Sequence, residues 1–150
     1  MKDVYIASAC RTAVGGFGGV TKDVPVQRLG AVALAEALRR ASADAEDVDE
    51  VIMGNVIQGT VQIAPARVAA LAADLPEEIP AYTVNKACGS GLKAVALGAQ
   101  AIRAGEAEVV LAGGMESMNT VPYTLPGARW GYRMGPQTAV DMLTDALTCP

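Results

Sequence analysis

Histidine is missing from this chain of 150 residues. Any mechanism that needs an imidazole base must draw it from elsewhere or do without it. Rings are scarce too: one Trp, four Tyr and one Phe. Cysteine is confined to positions 10, 88 and 149, an odd number with no CxxC spacing. This argues against a disulfide frame or a zinc site and points to a reducing, cytoplasmic compartment. No apolar run approaches the ~18 residues of a membrane span. The opening Met1-Lys2-Asp3-Val4-Tyr5 lacks the apolar stretch of a signal peptide. Positive charge is also in deficit, with 12 basic against 16 acidic side chains and a net charge of −4. Nucleic acid is therefore not the expected partner.

What remains is small and apolar. Apolar residues make up 51% and charged ones 19%, a balance that supports a packed core and excludes intrinsic disorder. Twenty-eight alanines and 16 glycines imply that helices and strands close on one another by near approach.

The order of patterns predicts an α/β chain, β-α-β-α-β-α-β, in three layers around a mostly parallel sheet. Val4–Ala9 is short and apolar and predicts a first strand. Pro25 opens an amphipathic helix whose stripe is Val26, Leu29, Ala33, Ala37, Leu38 and Ala41. Residues 50–56 predict a second strand, and a helix runs from Pro65 until Pro76 stops it. Ala81–Val84 is the third strand. From Cys88 onward Leu92, Val95, Ala96, Ala99 and Ile102 recur at helical spacing, with Gly105 placed to end the helix in a left-handed turn. Val109–Ala112, apolar throughout, predicts a fourth strand buried on both faces. Residues 118–137 hold three Pro, three Gly and Tyr123, Trp130 and Tyr132, a long irregular segment. A short helical stretch, 138–147, follows.

The sharpest chemical feature is Asn85-Lys86-Ala87-Cys88-Gly89-Ser90-Gly91-Leu92. A strand runs into a tight turn, the turn carries Cys88, and a helix begins at once. Gly89 and Gly91 allow a sharp turn and close backbone approach. The positive end of the helix favours thiolate over thiol, and its free N–H groups suit an oxyanion. The alternative is a small buried cysteine packed where helix meets sheet.

Other candidates are weaker. Gly15-Gly16-Phe17-Gly18-Gly19 fails as a dinucleotide fingerprint, since Thr21 stands where the third Gly belongs and the helix starts only near Pro25. It predicts a mobile loop. Glu116, after Gly113-Gly114-Met115, lies at a strand end where α/β sheets place ligands, and is either an acid–base group or a structural one. Arg129 and Arg133 beside Trp130 and Tyr132 either hold a nucleotide or form a solvated loop. Cys10 is expected to be structural; Cys149 carries no companion motif.

These stretches, in order, resemble the N-terminal portion of thiolases of the acetyl-CoA acetyltransferase kind. The resemblance rests on Ala9-Cys10-Arg11-Thr12 with its Gly-rich loop, residues 48–56, Pro65-Ala66-Arg67, the block around Cys88, residues 109–118 and Asp145-Ala146-Leu147-Thr148. It implies that Cys88 takes an acyl group from acyl-CoA as a thioester. A second acyl-CoA then attacks it to form a 3-ketoacyl-CoA, with thiolysis as the reverse. No cofactor is implied beyond coenzyme A thioesters as substrates.

Two departures stand out. Ala13 replaces the Pro usual after Arg-Thr. Gln62-Ile63-Ala64 replaces Gly-Gln-Asn, which removes a helix N-cap at 64 and predicts a loss of about 1 kcal/mol there. Thiolases are also well over twice as long. The His that activates the nucleophile, a second Cys, a water-holding Asn and most of the CoA surface lie outside the matching stretch.

Residues 1–117 are therefore expected to form an incomplete N-terminal half-domain with an open sheet edge, and 118–150 the beginning of the inserted loop domain. The isolated chain is expected to be inactive in condensation or thiolysis. Its expected partners are acyl-CoA and either copies of itself or a complementary thiolase C-terminal half, as in a split enzyme. The rival reading is a non-catalytic interaction module pairing through its open strand edge; a ketoacyl synthase fits the Gly-Gly-Met-Glu-Ser-Met strand end less well.

Overall fold

A computed structural model describes residues 2–59 and 63–148. Its main body is a parallel three-stranded sheet in the order β2-β1-β3, formed by β1 (Glu50–Gly54), β2 (Ala81–Val84) and β3 (Val110–Gly114). Helices α1 (Val26–Ala41) and α2 (Pro65–Ala72) lie on one face, and α3 (Ser90–Ala104) on the other. The α/β class and the three layers are as the sequence patterns predict. No helix among the described residues is long and apolar enough to cross a membrane.

β1 is the axis of the core. Val51, Ile52 and Met53 are buried on both faces, as a central parallel strand requires. Val51 and Met53 meet Leu34, Leu38, Ala66 and Ala69 of α1 and α2. Small residues set the layer spacing: a Cβ added at Gly30 of α1 would come 3.2 Å from Ala69 Cβ of α2.

Helix ends follow local chemistry. Gly105 closes α3 at φ 80°, with its amide on the Ile102 carbonyl. Pro25 is the N-cap of α1, one residue earlier than the first helical position. Ala64 caps α2 with no side chain of its own, but Thr83 Oγ1 of β2 accepts the Ala66 N–H at 3.0 Å. The cap lost at position 64 is thus supplied across the sheet. Gln62 of that stretch lies outside the described residues, as does Cys149.

Three expectations need correction. Val4–Ala9 is not a strand. It runs beside α1, with Ser8 Oγ and Cys10 Sγ donating to the Ala37 and Ala33 carbonyls and Arg40 donating to the Ala9 carbonyl. A strand needs a ladder partner, and this segment is tied by side chains instead. Those contacts also explain why Leu29, Ala33 and Ala37 are only half-buried, facing this segment and not the sheet. Second, β3 is an edge strand, half-buried and not buried on both faces, because only β1 pairs with it among the described residues.

The third correction concerns α3, which turns a different face to the sheet from the one its large apolar residues suggest. Ser90, Ala94 and Gly98 are its buried positions, whereas Leu92 is 77% exposed and Val95 and Ala96 also face outward. A Cβ at Gly98 would sit 3.0 Å from Val110 Cγ1, so only a small-residue stripe fits against the sheet.

Beyond β3 the chain leaves the sheet. β4 (Tyr123–Thr124) pairs antiparallel with β5 (Val140–Asp141), and α4 (Met142–Leu147) follows at once. Asp141 caps α4, its carboxylate accepting the Leu143 N–H and the Thr144 hydroxyl. The helical pattern read over 138–147 is thus a strand and a shorter helix.

Candidate active site

Cys88 stands at the carboxyl end of the sheet, between β2 and the first turn of α3. It is exposed, and its thiol makes no hydrogen bond among the described residues. The buried alternative for this cysteine is therefore overturned. Gly89 is the N-cap of α3, so Cys88 directly precedes the cap.

A closed set of polar contacts holds the turn. Asn85 Nδ2 donates to the Val56 carbonyl at 3.0 Å, and Asn85 Oδ1 accepts the Ala87 N–H at 3.0 Å. Ser90 Oγ accepts the Lys86 N–H at 2.8 Å and donates to the Ala87 carbonyl at 2.6 Å. Ser90 is buried, so its hydroxyl is fully used inside the turn. Ala87, the residue before the thiol, sits in the left-handed region at φ 45°. An alanine is strained there, and the strain persists because both neighbouring peptides are fixed.

Gly89 itself has φ −90°, open to any residue, so the sharp bend falls on Ala87 instead. Nor does close approach fall on Gly91, where an added Cβ would meet Gly114 Cα at an ordinary 3.6 Å; it falls on Gly54. A Cβ on Gly54 would lie 2.6 Å from Gly91 N and 2.5 Å from the Ser90 carbonyl carbon. The start of α3 therefore rests backbone to backbone on the end of β1.

Glu116 takes the structural role. Its Oε2 accepts the Val56 N–H at 2.8 Å, and Oε1 accepts the Ile57 N–H at 3.3 Å and Asn55 Nδ2 at 2.9 Å. A carboxylate with three N–H donors on it is a clamp for the chain leaving β1. A recess of about 160 Å³ lined by Cys10, Leu29, Ala33, Met115 and Glu116 lies on the α1 side and does not include Cys88. Arg129 and Trp130 lie exposed in the segment before β5, away from the Cys88 turn in sequence and sheet; Tyr132 donates its hydroxyl to the Pro126 carbonyl.

Asn55, Asn85 and Ser90 are the polar side chains around the turn whose bonds composition and periodicity passed over. A signal was present, since Asn at a strand end ahead of a turn commonly bonds a nearby backbone group. Ser90 bonds within its own turn, to Lys86 and Ala87, whereas Glu116 for Asn55 and Val56 for Asn85 lie too far along the chain for local pattern to reveal.

Comparison with known proteins places the chain in a family. The family model for the thiolase N-terminal domain matches residues 4–150. An acetyl-CoA acetyltransferase of Cupriavidus necator is 54% identical over 98% of this chain and 38% of its own length. A probable acetyl-CoA acyltransferase of Staphylococcus epidermidis is 48% identical over 99% of this chain and 38% of its own. The crystal structure of the Bacillus anthracis acetyl-CoA acetyltransferase superimposes with a TM-score of 0.92 at 40% identity, covering 97% of this chain and 37% of that one. The chain thus spans under two fifths of the relatives it matches, and within that span sequence and fold agree: it belongs to the thiolase family, as a thiolase N-terminal domain.

Proposed function

We propose that Cys88 is the acyl-accepting nucleophile of a 3-ketoacyl-CoA-forming or -cleaving acyltransferase. The observation that carries this reading is an exposed thiol, without a hydrogen bond among the described residues, at the start of α3 on a strained and tied turn. The Cys88 thiolate adds to the carbonyl carbon of an acyl-CoA, and collapse of the adduct expels the coenzyme A thiolate, leaving an S-acyl cysteine. The α-carbanion of a second acyl-CoA then attacks that thioester. A carbon–carbon bond forms, the C–S bond breaks, and the Cys88 thiolate is released with a 3-ketoacyl-CoA; thiolysis reverses the sequence. The cysteine carries the reaction with coenzyme A thioesters as substrates and no further cofactor.

We also propose that residues 1–117 are the incomplete half-domain and 118–150 the beginning of the loop domain. The sheet's end at Gly114 and the separate β4–β5 pair support that boundary. The unpaired side of β3 and the outward Leu92, Val95 and Ala96 support a complementary thiolase C-terminal half, or a second copy, as the covering partner. That half would bring the imidazole base the chain does not contain; the helix N-terminus alone serves Cys88 for a single acylation, and these 150 residues stop there and do not turn over.

The test is intact-protein mass after incubation with acetyl-CoA, for wild type and C88A. One added acetyl group that maps to Cys88 and is missing in C88A is expected. No adduct, or one that survives C88A, overturns the assignment.

A further inference from the structure

We propose that Asn85 is the positioning residue for Cys88, and that Glu116 holds its anchor; this rests on the reading of Cys88 as nucleophile. Glu116 fixes the peptide N–H groups of Val56 and Ile57, which leaves the Val56 carbonyl at a set place beyond the end of β1. Asn85 Nδ2 docks on that carbonyl, and its other end, Oδ1, takes the Ala87 N–H. The amide is used at both ends, so it transmits the position of one strand end to the peptide that precedes the thiol.

The consequence is visible in the backbone. Ala87 is held at φ 45°, a conformation an alanine leaves when its neighbours allow. Ser90 ties the carbonyl side of the same residue from within α3. The thiol is thereby set between two fixed points, β1 on one side and the first turn of α3 on the other. Without the Asn85 bridge, Ala87 relaxes to negative φ and the direction of the Cys88 side chain changes. A displacement of that kind is felt strongly in reactions that need an oriented nucleophile.

The experiment is the rate of alkylation at Cys88 by iodoacetamide, read by peptide mass in wild type, N85A and N85D, with Cys10 as the internal reference. N85A is expected to react about tenfold more slowly at Cys88, its sulfur no longer held at the start of α3, where helix N-termini favour the reactive thiolate, with Cys10 unchanged. N85D keeps an oxygen for the Ala87 N–H and loses the anchor to Val56, and its rate is expected to fall between the two. Equal rates in wild type and N85A overturn the proposal, as does N85D matching wild type, or parallel changes at Cys10 and Cys88.

Should N85A unfold, the N85D rate and hydrogen exchange of the wild-type Ala87 amide decide. Slow exchange supports the bridge; exchange at the unprotected rate overturns it. Alkylation needs no acyl-CoA. The expected alkylation pattern without an acetyl adduct removes the acyl-transfer reading alone, whereas an adduct without that pattern removes only the bridge.

Discussion

Gly54 and Gly91 meet backbone to backbone: a Cβ built on Gly54 would stand 2.6 Å from the Gly91 nitrogen. The relation is one-sided. A Cβ on Gly91 would point toward Gly114 Cα at 3.6 Å, an ordinary contact. G54A must push α3 off the strand end and is expected to lose about 2–3 kcal/mol, in the range of overpacked cores. G91A gains helix preference and is expected to stay within about 1 kcal/mol of wild type. Urea unfolding of the two variants measures the contrast, and equal losses would contradict the geometry.

Glu116 supplies a second prediction. Two of its three donors are backbone amides, one on each oxygen, and Asn55 Nδ2 shares Oε1. E116Q keeps one acceptor oxygen and turns an NH2 group toward a backbone N–H. The expected loss is about 1–3 kcal/mol, the usual range for a hydrogen bond to a charged group or an amide left unpaired. Exchange of the Val56 and Ile57 amides should rise together in E116Q. If they stay protected, the clamp is made by something else.

The sequence made some of this visible and concealed the rest for definite reasons. The strands at 50–54 and 81–84 and the left-handed Gly105 follow from rules that act within a few residues. So does the location of Cys88 at a strand–turn–helix junction. Val4–Ala9 misled because an apolar run reports burial preference, whereas a strand exists only with a neighbour to pair with. The stripe on α3 misled because the helix is apolar on more than one side. There the small residues Ala94 and Gly98 choose the sheet, and Leu92 and Val95 are left outside. The Thr83 cap on α2 and the Glu116–Val56–Asn85 chain join residues far apart in sequence, beyond the reach of any periodicity.

Ala87 gives a prediction with an unusual sign. Replacing Ala by Gly inside a helix costs about 1 kcal/mol, and A96G on the exposed side of α3 is expected to show that loss. At φ 45°, however, Gly is relieved of the Cβ penalty of roughly 1–2 kcal/mol, partly offset by the greater freedom it gives the unfolded chain. A87G is therefore expected to be neutral or more stable by up to about 1 kcal/mol. Thermal unfolding of A87G and A96G side by side checks the opposite signs.

Acid sensitivity has a local source in α1. Glu36 bonds both Arg39 and Arg40, and these guanidinium groups hold its carboxyl down at about 2 from an ordinary 4.5. Because the folded value lies below the unfolded one, the group stabilises the fold above pH 4.5 and loses that contribution as pH falls toward 2. Asp49 is lowered in the same direction by the Val109 and Glu108 amides. Unfolding midpoints measured from pH 7 down to 2 should fall for wild type below 4.5, and fall less steeply for E36Q. An identical slope in the variant would show that the pair contributes nothing to the acid limb.

The orientation of α3 can be tested by two substitutions that the helical pattern and the fold rank in opposite order. If the large residues faced the sheet, L92Q would empty part of the core and cost on the order of 2–5 kcal/mol. With Leu92 77% exposed, the change is expected to remain within about 0.5 kcal/mol. Ala94 is fully buried, and A94L would drive three further carbons into the space between α3 and β1. That overpacking is expected to cost about 1–3 kcal/mol. Urea denaturation of both variants ranks them directly. A costly L92Q with a harmless A94L would turn the helix around, and would take Ser90 and its hold on the Cys88 turn out of the interior with it.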